Sequence, residues 1–366
     1  MGEIGRSASE SVGFGNPDVR IPPDRLREYV RGCLTSYGGG VSYPRADPRD
    51  RDRLPGDTWG AASIPATVRL EFDGDFESIE IQYFTQTDEL GYRGDGAGTN
   101  FALWRDGCLI CQSPATLGEG TTRLDVPARD FLNSTSGASR WILYLPEGMK
   151  PTVRDLRSTG GEITPASYQP IWLAYGDSVL EGWTATQPAL AWPAIVGREC
   201  GIDVVNWGYA GAARGEIVTA QQIAQLANYE RKIEIISISH GTNCWTRIPF
   251  SVQMMEAQLA AFIEIVRTGH PQTPILVVTP VLRPDAENTP NILGASLSQL
   301  REAMEQTVRS MIGMGDENLH LISGRDLISQ EQLADGIHPN DSGHRSLADR
   351  IGPKILSLMW SEKDCW

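Results

Sequence analysis

Residues 171–183 read Ile-Trp-Leu-Ala-Tyr-Gly-Asp-Ser-Val-Leu-Glu-Gly-Trp, and this stretch decides the fold of the second half of the chain. It begins with a solid apolar run, which is typical of a strand buried on both faces of a sheet. Gly176, Asp177 and Ser178 then end the run, and a helical pattern follows. A serine at a strand-to-helix turn is held exposed, as a nucleophile must be. Serine is also a favoured helix N-cap, so this stretch alone leaves both interpretations open.

Downstream of this stretch, apolar strands alternate with helical patterns as far as residue 358. Such an alternation predicts a parallel, doubly wound α/β sheet. Ligands of these sheets bind beyond the carboxyl ends of the strands, so functional residues should follow strand ends. The predicted strands are Ile171–Tyr175, Val204–Trp207, Ile233–Ser239, Ile275–Val281 and Leu319–Ile322, and the predicted helices lie near 188–199, 214–228, 251–267, 295–313 and 342–358.

Upstream, between about residues 60 and 157, apolar and polar residues alternate instead. Val68, Leu70 and Phe72, for example, are interleaved with Arg69 and Glu71. This period of two predicts antiparallel strands with one face in water, and a jelly-roll-like β-sandwich is the natural way to close them. The Gly-, Pro- and Ser-rich segment 158–170 is the predicted join. We therefore expect a flexible N-terminus at 1–20, a β-sandwich domain at 21–165 and an α/β domain at 166–366.

Hydrogen-bond donors follow the second and third predicted strands. The second strand is followed by Gly208 and Gly211, and the third by Asn243. A glycine allows a backbone N–H to approach a reacting oxygen closely, and an asparagine side chain supplies a second donor, so an oxyanion hole is predicted here. The rival interpretation is a phosphate-binding loop at 208–215, but this stretch lacks the Gly-Lys-Ser/Thr of a P-loop and the glycine spacing of a dinucleotide site.

An acid and a base follow the fifth predicted strand as Asp335-x-x-His338. A neutral imidazole can take a proton from a serine, and a carboxylate can orient the ring and stabilise its charged form. His344 is expected inside the last helix, where it is poorly placed to act as the base. Asp177 is poorly placed to serve a histidine beside Ser178, because neighbouring side chains diverge.

These four motifs, in this order, resemble those of the SGNH or GDSL hydrolase family. Gly176-Asp177-Ser178 resembles the nucleophile block, Gly211 (with Gly208 as the alternative) the oxyanion glycine, and Gly241-Thr242-Asn243 the asparagine block. Cys244 departs from the pattern, since the family usually has Asp after the Asn. The resemblance covers roughly residues 170–360 and implies a flavodoxin-like catalytic domain with a five-stranded parallel sheet. It also implies acyl transfer through Ser178, His338 and Asp335, with the N–H groups of Ser178 and Gly211 and the side chain of Asn243 holding the oxyanion.

The composition of the chain restricts the classes of partner and the cellular compartment that we expect. The chain has 32 Lys and Arg against 46 Asp and Glu, a net charge of −14, which argues against nucleic acid or an anionic membrane as the main partner. No apolar run approaches the eighteen residues of a membrane span. The first twenty residues lack the apolar core of an export signal, so a cytoplasmic location is expected. Cys108 and Cys111 have no second pair to complete a zinc site, and no metal is predicted.

The second nucleophile is either water or an alcohol. Hydrolysis of small-molecule or carbohydrate esters is the family's usual reaction, but polysaccharide deacetylases with a preceding sandwich are secreted. Three tryptophans lie within a few residues of the catalytic motifs: Trp183, Trp207 and Trp245. If their rings line the mouth of the active site, they would favour an organic alcohol over water as the second nucleophile. Core packing is their alternative role.

The domain order is similar to that of GDSL-type acyltransferases of tetracycline-type polyketide tailoring. That resemblance implies transfer of an acyl, typically aryl, group from acyl-CoA as co-substrate to a hydroxyl of a small molecule, with no permanently bound cofactor. The sandwich is expected to wall part of the active-site mouth. A non-catalytic carbohydrate-binding protein is the alternative from another class, and the oligomeric state cannot be read from the sequence.

Overall fold

The computed structural model describes residues 18–35, 38, 40–88, 98–127 and 140–360. Most of the expected flexible N-terminus, residues 1–17, lies outside the described residues. Its last part differs from the expectation, because Val19–Ile21 forms a strand paired with Leu156–Ser158. Within the described residues, every helix is too short or too polar to cross a bilayer.

Two antiparallel sheets form the first half of the fold. One has the order β1-β9-β4-β7, and the other has the order β10-β3-β8-β5-β6 with β2 also paired to β3. Together they make the expected β-rich domain. The strands are β1 (Val19–Ile21), β2 (Val30–Arg31), β3 (Arg69–Gly74), β4 (Ser78–Thr85), β5 (Asn100–Arg105), β6 (Cys108–Pro114), β7 (Gly118–Asp125), β8 (Arg140–Tyr144), β9 (Pro151–Thr159) and β10 (Ile163–Pro165).

The alternation in the sequence sets which face of each sheet is buried. Ile79 and Ile81 on β4 point into one apolar core together with Leu70 and Phe72 on β3, so the two sheets pack face to face. Gln82 on β4 points to solvent. The predicted join at 158–170 is more ordered than expected, because β10 lies inside it and pairs with β3.

The second half is the predicted parallel α/β sheet. Its order is β12-β11-β13-β14-β15, which is the flavodoxin-like order 2-1-3-4-5. The fourth strand is shorter than predicted, ending two residues before Pro280. The strands are β11 (Ile171–Gly176), β12 (Asp203–Gly208), β13 (Ile233–Ser239), β14 (Ile275–Val278) and β15 (Leu319–Ile322). The helices of the described residues are α1 (Gly56–Ala62), α2 (Ser178–Glu181), α3 (Trp192–Cys200), α4 (Ile217–Gln225), α5 (Asn243–Thr246), α6 (Val252–Gly269), α7 (Leu297–Gly313) and α8 (Asp341–Met359).

Both faces of this sheet are covered by helices. On β11, Leu173 and Tyr175 face the core beneath α6 and α7, whereas Trp172 and Ala174 face the core beneath α3 and α8. Since both faces are apolar, the strand reads as a continuous hydrophobic run. The carboxyl ends of these strands meet at one edge, where the candidate site lies.

The boundary between the two halves is less simple than the sequence indicates. Leu54 on the segment before α1, and Ala61 and Ala62 on α1, pack into the core of the α/β half rather than that of the sandwich. The segment around them is rich in charged and small residues, so its few apolar residues show no period. These residues therefore belong structurally to the second half, although they precede most of the sandwich in sequence, whereas Tyr43 from the same segment packs against the sandwich core.

Candidate active site

Ser178 lies where the sequence predicts it, immediately after β11. Asp177 caps the turn, with its Oδ1 accepting a hydrogen bond from the Val179 N–H at 3.1 Å. Gly176 permits the turn, because a Cβ there would lie 2.3 Å from the Ser239 carbonyl oxygen. The helix that Ser178 begins is a single turn, Ser178–Glu181, with Gly182 as its C-cap.

His338 and Asp335 complete a chain of hydrogen bonds with Ser178. The His338 Nε2 lies 2.9 Å from the Ser178 Oγ, and the His338 Nδ1 lies 2.7 Å from the Asp335 Oδ2. The other Asp335 oxygen accepts the backbone N–H groups of Ile337 and His338. This carboxylate is therefore fixed by its own loop, and it holds the imidazole with Nε2 towards the serine.

The electrostatics of this pair favour a neutral base beside an ionised acid. Burial lowers the pKa of His338, and this effect outweighs the opposite effect of the neighbouring Asp335 carboxylate. Partial burial raises the pKa of Asp335, but the hydrogen bonds from His338 and from the backbone outweigh it, so the net pKa is lowered. At neutral pH the arrangement thus has a free imidazole lone pair directed at Ser178.

The pH dependence of acyl chemistry follows from this balance. Below its pKa, His338 is protonated and cannot accept the serine proton, so kcat/KM is expected to fall on acidification with a midpoint below about 6.5, the ordinary histidine pKa. Replacing Asp335 with Asn removes the group that raises the pKa of His338, so the midpoint should shift further to acid and kcat should fall by about 10²–10⁴-fold. Initial rates across the acidic limb measure both effects, and a midpoint above that of free histidine would contradict the assignment.

The oxyanion donors can now be distinguished by their partners. The Gly208 N–H donates to the Asn206 Oδ1 at 2.7 Å, so it is already used. Gly211 has a φ of +69° and lines the same cavity as Ser178, and its N–H has no acceptor within the described part of the chain. The Asn243 Nδ2 also reaches this cavity, with one contact to the Ala213 carbonyl at 3.3 Å. Gly211 is therefore the better candidate of the two glycines.

Ser178, Gly211, Asn243, Asp335 and His338 line one cavity of about 390 Å³. All of the described residues that line it fall between positions 178 and 338. None of them belongs to the sandwich. Residues 89–97 and 128–139 of the sandwich half lie outside the described residues, so the expectation that its loops wall part of the mouth stays a prediction.

The three tryptophans have different positions. Trp183 lines the cavity, and its ring lies 5.5 Å from that of His338, centre to centre. Trp207 does not line it: this residue is the penultimate one of β12, and its ring is buried in the core, which corrects its predicted role at the mouth. Trp245 lies beneath Arg283, with 4.9 Å between the guanidinium carbon and the ring centre. Its ring therefore supports Arg283, which lines the cavity, and does not line the cavity itself.

Three neighbouring residues lie outside the chain of hydrogen bonds. His344 is buried in α8, where its Nε2 lies 3.0 Å from the Trp183 carbonyl oxygen, and burial lowers its pKa to about 4. Asp177 is the cap described above, and burial raises its pKa to about 6. The Cys244 thiol is buried in the core beside Asn243, so the departure from the family pattern does not alter the cavity wall.

Among the cavity residues that the sequence interpretation missed are two arginines, Arg247 and Arg283. Arg283 follows β14, the one central strand end for which no motif was recognised. Because functional residues collect beyond strand ends, that position itself was a usable signal. Arg247 follows Asn243 by four residues, on the same connection.

Residues 169–356, slightly more than half of the chain, match the GDSL-like lipase/acylhydrolase family. The chain belongs to the GDSL-like lipase/acylhydrolase family. Among curated proteins, no sequence matches it. Membership in the GDSL-like family makes the chain an enzyme of the hydrolase and acyltransferase class, and the resemblance recognised from its four motifs is confirmed.

Solved structures share the fold over 78–94% of the chain. Salicylyl-acyltransferase SsfX3 from a tetracycline biosynthetic pathway has a TM-score of 0.79 at 21% identity, covering 93% of this chain and 97% of that one. A GDSL-like lipase from Bacteroides ovatus has a TM-score of 0.76 at 19% identity, covering 94% and 98%. A family two carbohydrate esterase from Clostridium thermocellum has a TM-score of 0.55 at 13% identity, covering 78% and 91%. The GDSL-like domain and the β-rich half thus occur together in other proteins.

Proposed function

We propose that this protein is a serine-dependent acyltransferase that moves an acyl group, typically aryl, from a CoA thioester to a hydroxyl of a small molecule such as a tetracycline-type polyketide. The observation that carries the serine chemistry is the chain of hydrogen bonds from Ser178 through His338 to Asp335. The likeness in fold to an acyltransferase over 93% of the chain supports transfer as the outcome.

The reaction has two steps. His338 takes the proton of Ser178 as the serine oxygen attacks the carbonyl carbon, and the developing oxyanion is held by the Gly211 and Ser178 N–H groups and the Asn243 side chain. Collapse of this intermediate expels the CoA thiolate, which receives the proton from His338, and leaves an acyl ester on Ser178. His338 then deprotonates the acceptor hydroxyl, whose oxygen attacks the ester carbonyl. The bond to the Ser178 oxygen breaks, and His338 returns the proton to that oxygen as the acylated acceptor leaves.

Ester hydrolysis is the second candidate, and it differs only in the last nucleophile. The family match and the fold likeness to carbohydrate esterases favour it. Against it stands Trp183, an apolar ring beside His338 that reduces the access of water to the base. A non-catalytic carbohydrate-binding role has no support from the GDSL-like domain, whose catalytic motifs are all present.

The two candidates are separated by supplying acyl-CoA thioesters and following free thiol with and without hydroxylated aromatic acceptors. Transfer predicts that the acceptor accelerates thiol release and that the product is an ester of the acceptor. Thiol release that ignores the acceptor, with free acid as the sole product, would reject transfer in favour of hydrolysis. Mass spectrometry of the quenched protein should find the acyl group on Ser178 in either case.

A further inference from the structure

Two arginine side chains line the cavity beside the serine, and the proposed acyl-transfer steps use neither of them. Arg247 follows α5, and Arg283 lies on the connection after β14. Asp335 is the only carboxylate among the described residues that line the cavity, and it is bound to His338. The wall therefore carries two positive charges in a protein whose net charge is −14.

Arg247 lies directly against the candidate oxyanion glycine. Its guanidinium atoms are 3.3–3.4 Å from the position that a Cβ on Gly211 would occupy. The residue is exposed to solvent and forms no ion pair within the described ranges of the chain. Its guanidinium thus keeps free donors next to the place where the reacting carbonyl would lie, and an arginine presents those donors as a planar fork that suits a carboxylate.

Arg283 is held in place more firmly. It is only 6% exposed, its guanidinium stacks on Trp245, and its Nε and Nη2 donate to the Asp285 Oδ1 and Oδ2 at 2.9 and 3.1 Å, which leaves Nη1 outside this pair. The Asp285 side chain is itself 54% exposed, so solvent weakens its neutralising effect. The charge of Arg283 is still felt at the site, because it lowers the pKa of both His338 and Asp177.

The position of Arg247 limits which anionic group it can meet. In a CoA thioester, the long pantetheine arm separates the phosphates from the reacting carbonyl. A guanidinium in contact with Gly211 is too close to that carbonyl to reach them. An anionic group at this distance must be attached to the substrate only a few bonds from the carbonyl.

We propose that Arg247 and Arg283 form a subsite for a carboxylate, or a comparably charged group, carried by the substrate a few bonds from the reacting carbonyl. The inference deepens the proposed function and rests on acyl chemistry at Ser178. The anionic group can belong to the acyl half or to the alcohol half, and the two are distinguished by experiment.

The test compares matched esters that differ in one charge. For the acyl half, 4-nitrophenyl hemisuccinate is compared with its neutral methyl ester. For the alcohol half, acetylsalicylate is compared with its methyl ester. The subsite predicts that the wild-type protein prefers the charged member of at least one pair, and that Arg247→Gln lowers this charged-to-neutral ratio of kcat/KM about tenfold, the loss expected for one charge-assisted hydrogen bond.

Two control variants test whether a change in the charged-to-neutral ratio of kcat/KM is specific to the Arg247 guanidinium. Arg247→Lys keeps the charge without the planar fork, so it should restore part of the ratio. Arg154→Gln removes the same charge from an exposed position on the sandwich and should leave the ratio unchanged. An equal loss for charged and neutral esters in Arg247→Gln, or no preference for charge in the wild type, would overturn the subsite.

Binding to Ser178→Ala protein separates this inference from the proposed function. The probes are two amides that cannot be cleaved readily: N-phenylsuccinamic acid for the acyl half and N-acetylanthranilic acid for the alcohol half, each with its methyl ester as the neutral control. Calorimetry should show tighter binding of the acid in at least one pair, and adding Arg247→Gln should weaken that binding at least about fivefold. If wild-type protein cleaves no ester, the acyl chemistry fails while this measurement still decides the subsite; equal binding of acid and methyl ester in both pairs rejects it.

Discussion

Replacing Ser178 with alanine is expected to lower kcat for acyl transfer by about 10⁴-fold or more. The reason is the loss of the attacking oxygen that lies 2.9 Å from the His338 Nε2. The oxyanion donors and the cavity remain, so a small residual rate from binding and positioning is expected rather than none. The measurement is thiol release from an acyl-CoA thioester, combined with mass spectrometry of protein treated with an activated ester.

A serine outside the cavity provides the control for this prediction. Ser357 lies exposed on α8, where its hydroxyl donates to the Lys354 carbonyl at 2.8 Å. Ser357→Ala should keep the wild-type rate and the acyl label. Retained activity in Ser178→Ala, or a label on another residue, would reject the serine mechanism for this protein.

The catalytic serine, acid and base could be predicted from the sequence because each lies on a loop that follows the end of a strand. An apolar run that stops at Gly176, Asp177 and Ser178 indicates both the end of β11 and the turn into the next helix. Asp335 and His338 are three residues apart on one loop, so their hydrogen bond needs no knowledge of distant packing. Parallel strands then bring these loops to one edge of the sheet.

Trp207 shows where prediction from sequence position fails. Proximity to a motif in sequence does not tell which way a strand residue points, and both faces of β12 are buried. A large ring near the end of a central strand therefore packs into the core as readily as it faces a ligand. Trp183 differs because it follows Gly182, after the single turn of α2 has ended.

Contacts between segments far apart in the chain could not be predicted either. Asp203, the first residue of β12, pairs with Arg69 on β3 at 3.3 Å and accepts the Gly32 N–H at 2.9 Å. A sequence pattern identifies such residues as polar and leaves their partners unknown. These buried polar contacts join the sandwich to the α/β half.

For the same reason, the sequence could not reveal the contacts that hold the loop carrying the proposed oxyanion donor Gly211. Glu181, the last residue of α2, accepts the Ala210 N–H at 2.8 Å, immediately before Gly211. Arg45 pairs with Glu181 at 3.3 Å and donates to the Asn206 carbonyl at 2.9 Å. A residue from the N-terminal segment thus braces the turn that carries the proposed oxyanion donor, as a positioning residue that does not touch substrate.

Arg45→Met is expected to lower the free energy of unfolding by about 3–5 kcal/mol, the usual cost of breaking a buried ion pair. Both side chains are 0% exposed, so the substitution removes the Arg45 cation from beside a buried carboxylate. Adding Glu181→Gln should restore part of this free energy, because the uncompensated charge is removed while an acceptor for the Ala210 N–H is kept.

Arg49→Met is the matched control for Arg45→Met, since the Arg49 side chain is 84% exposed and should contribute little to stability. Urea unfolding of the full chain measures all four proteins. The brace also predicts that the double variant, although more stable than Arg45→Met, stays below the wild type in kcat, because the contacts from Arg45 to the carbonyls before Gly211 are still missing. A cost below about 1 kcal/mol for Arg45→Met would show that the pair is not a brace, since a buried charge left without its partner costs more than that.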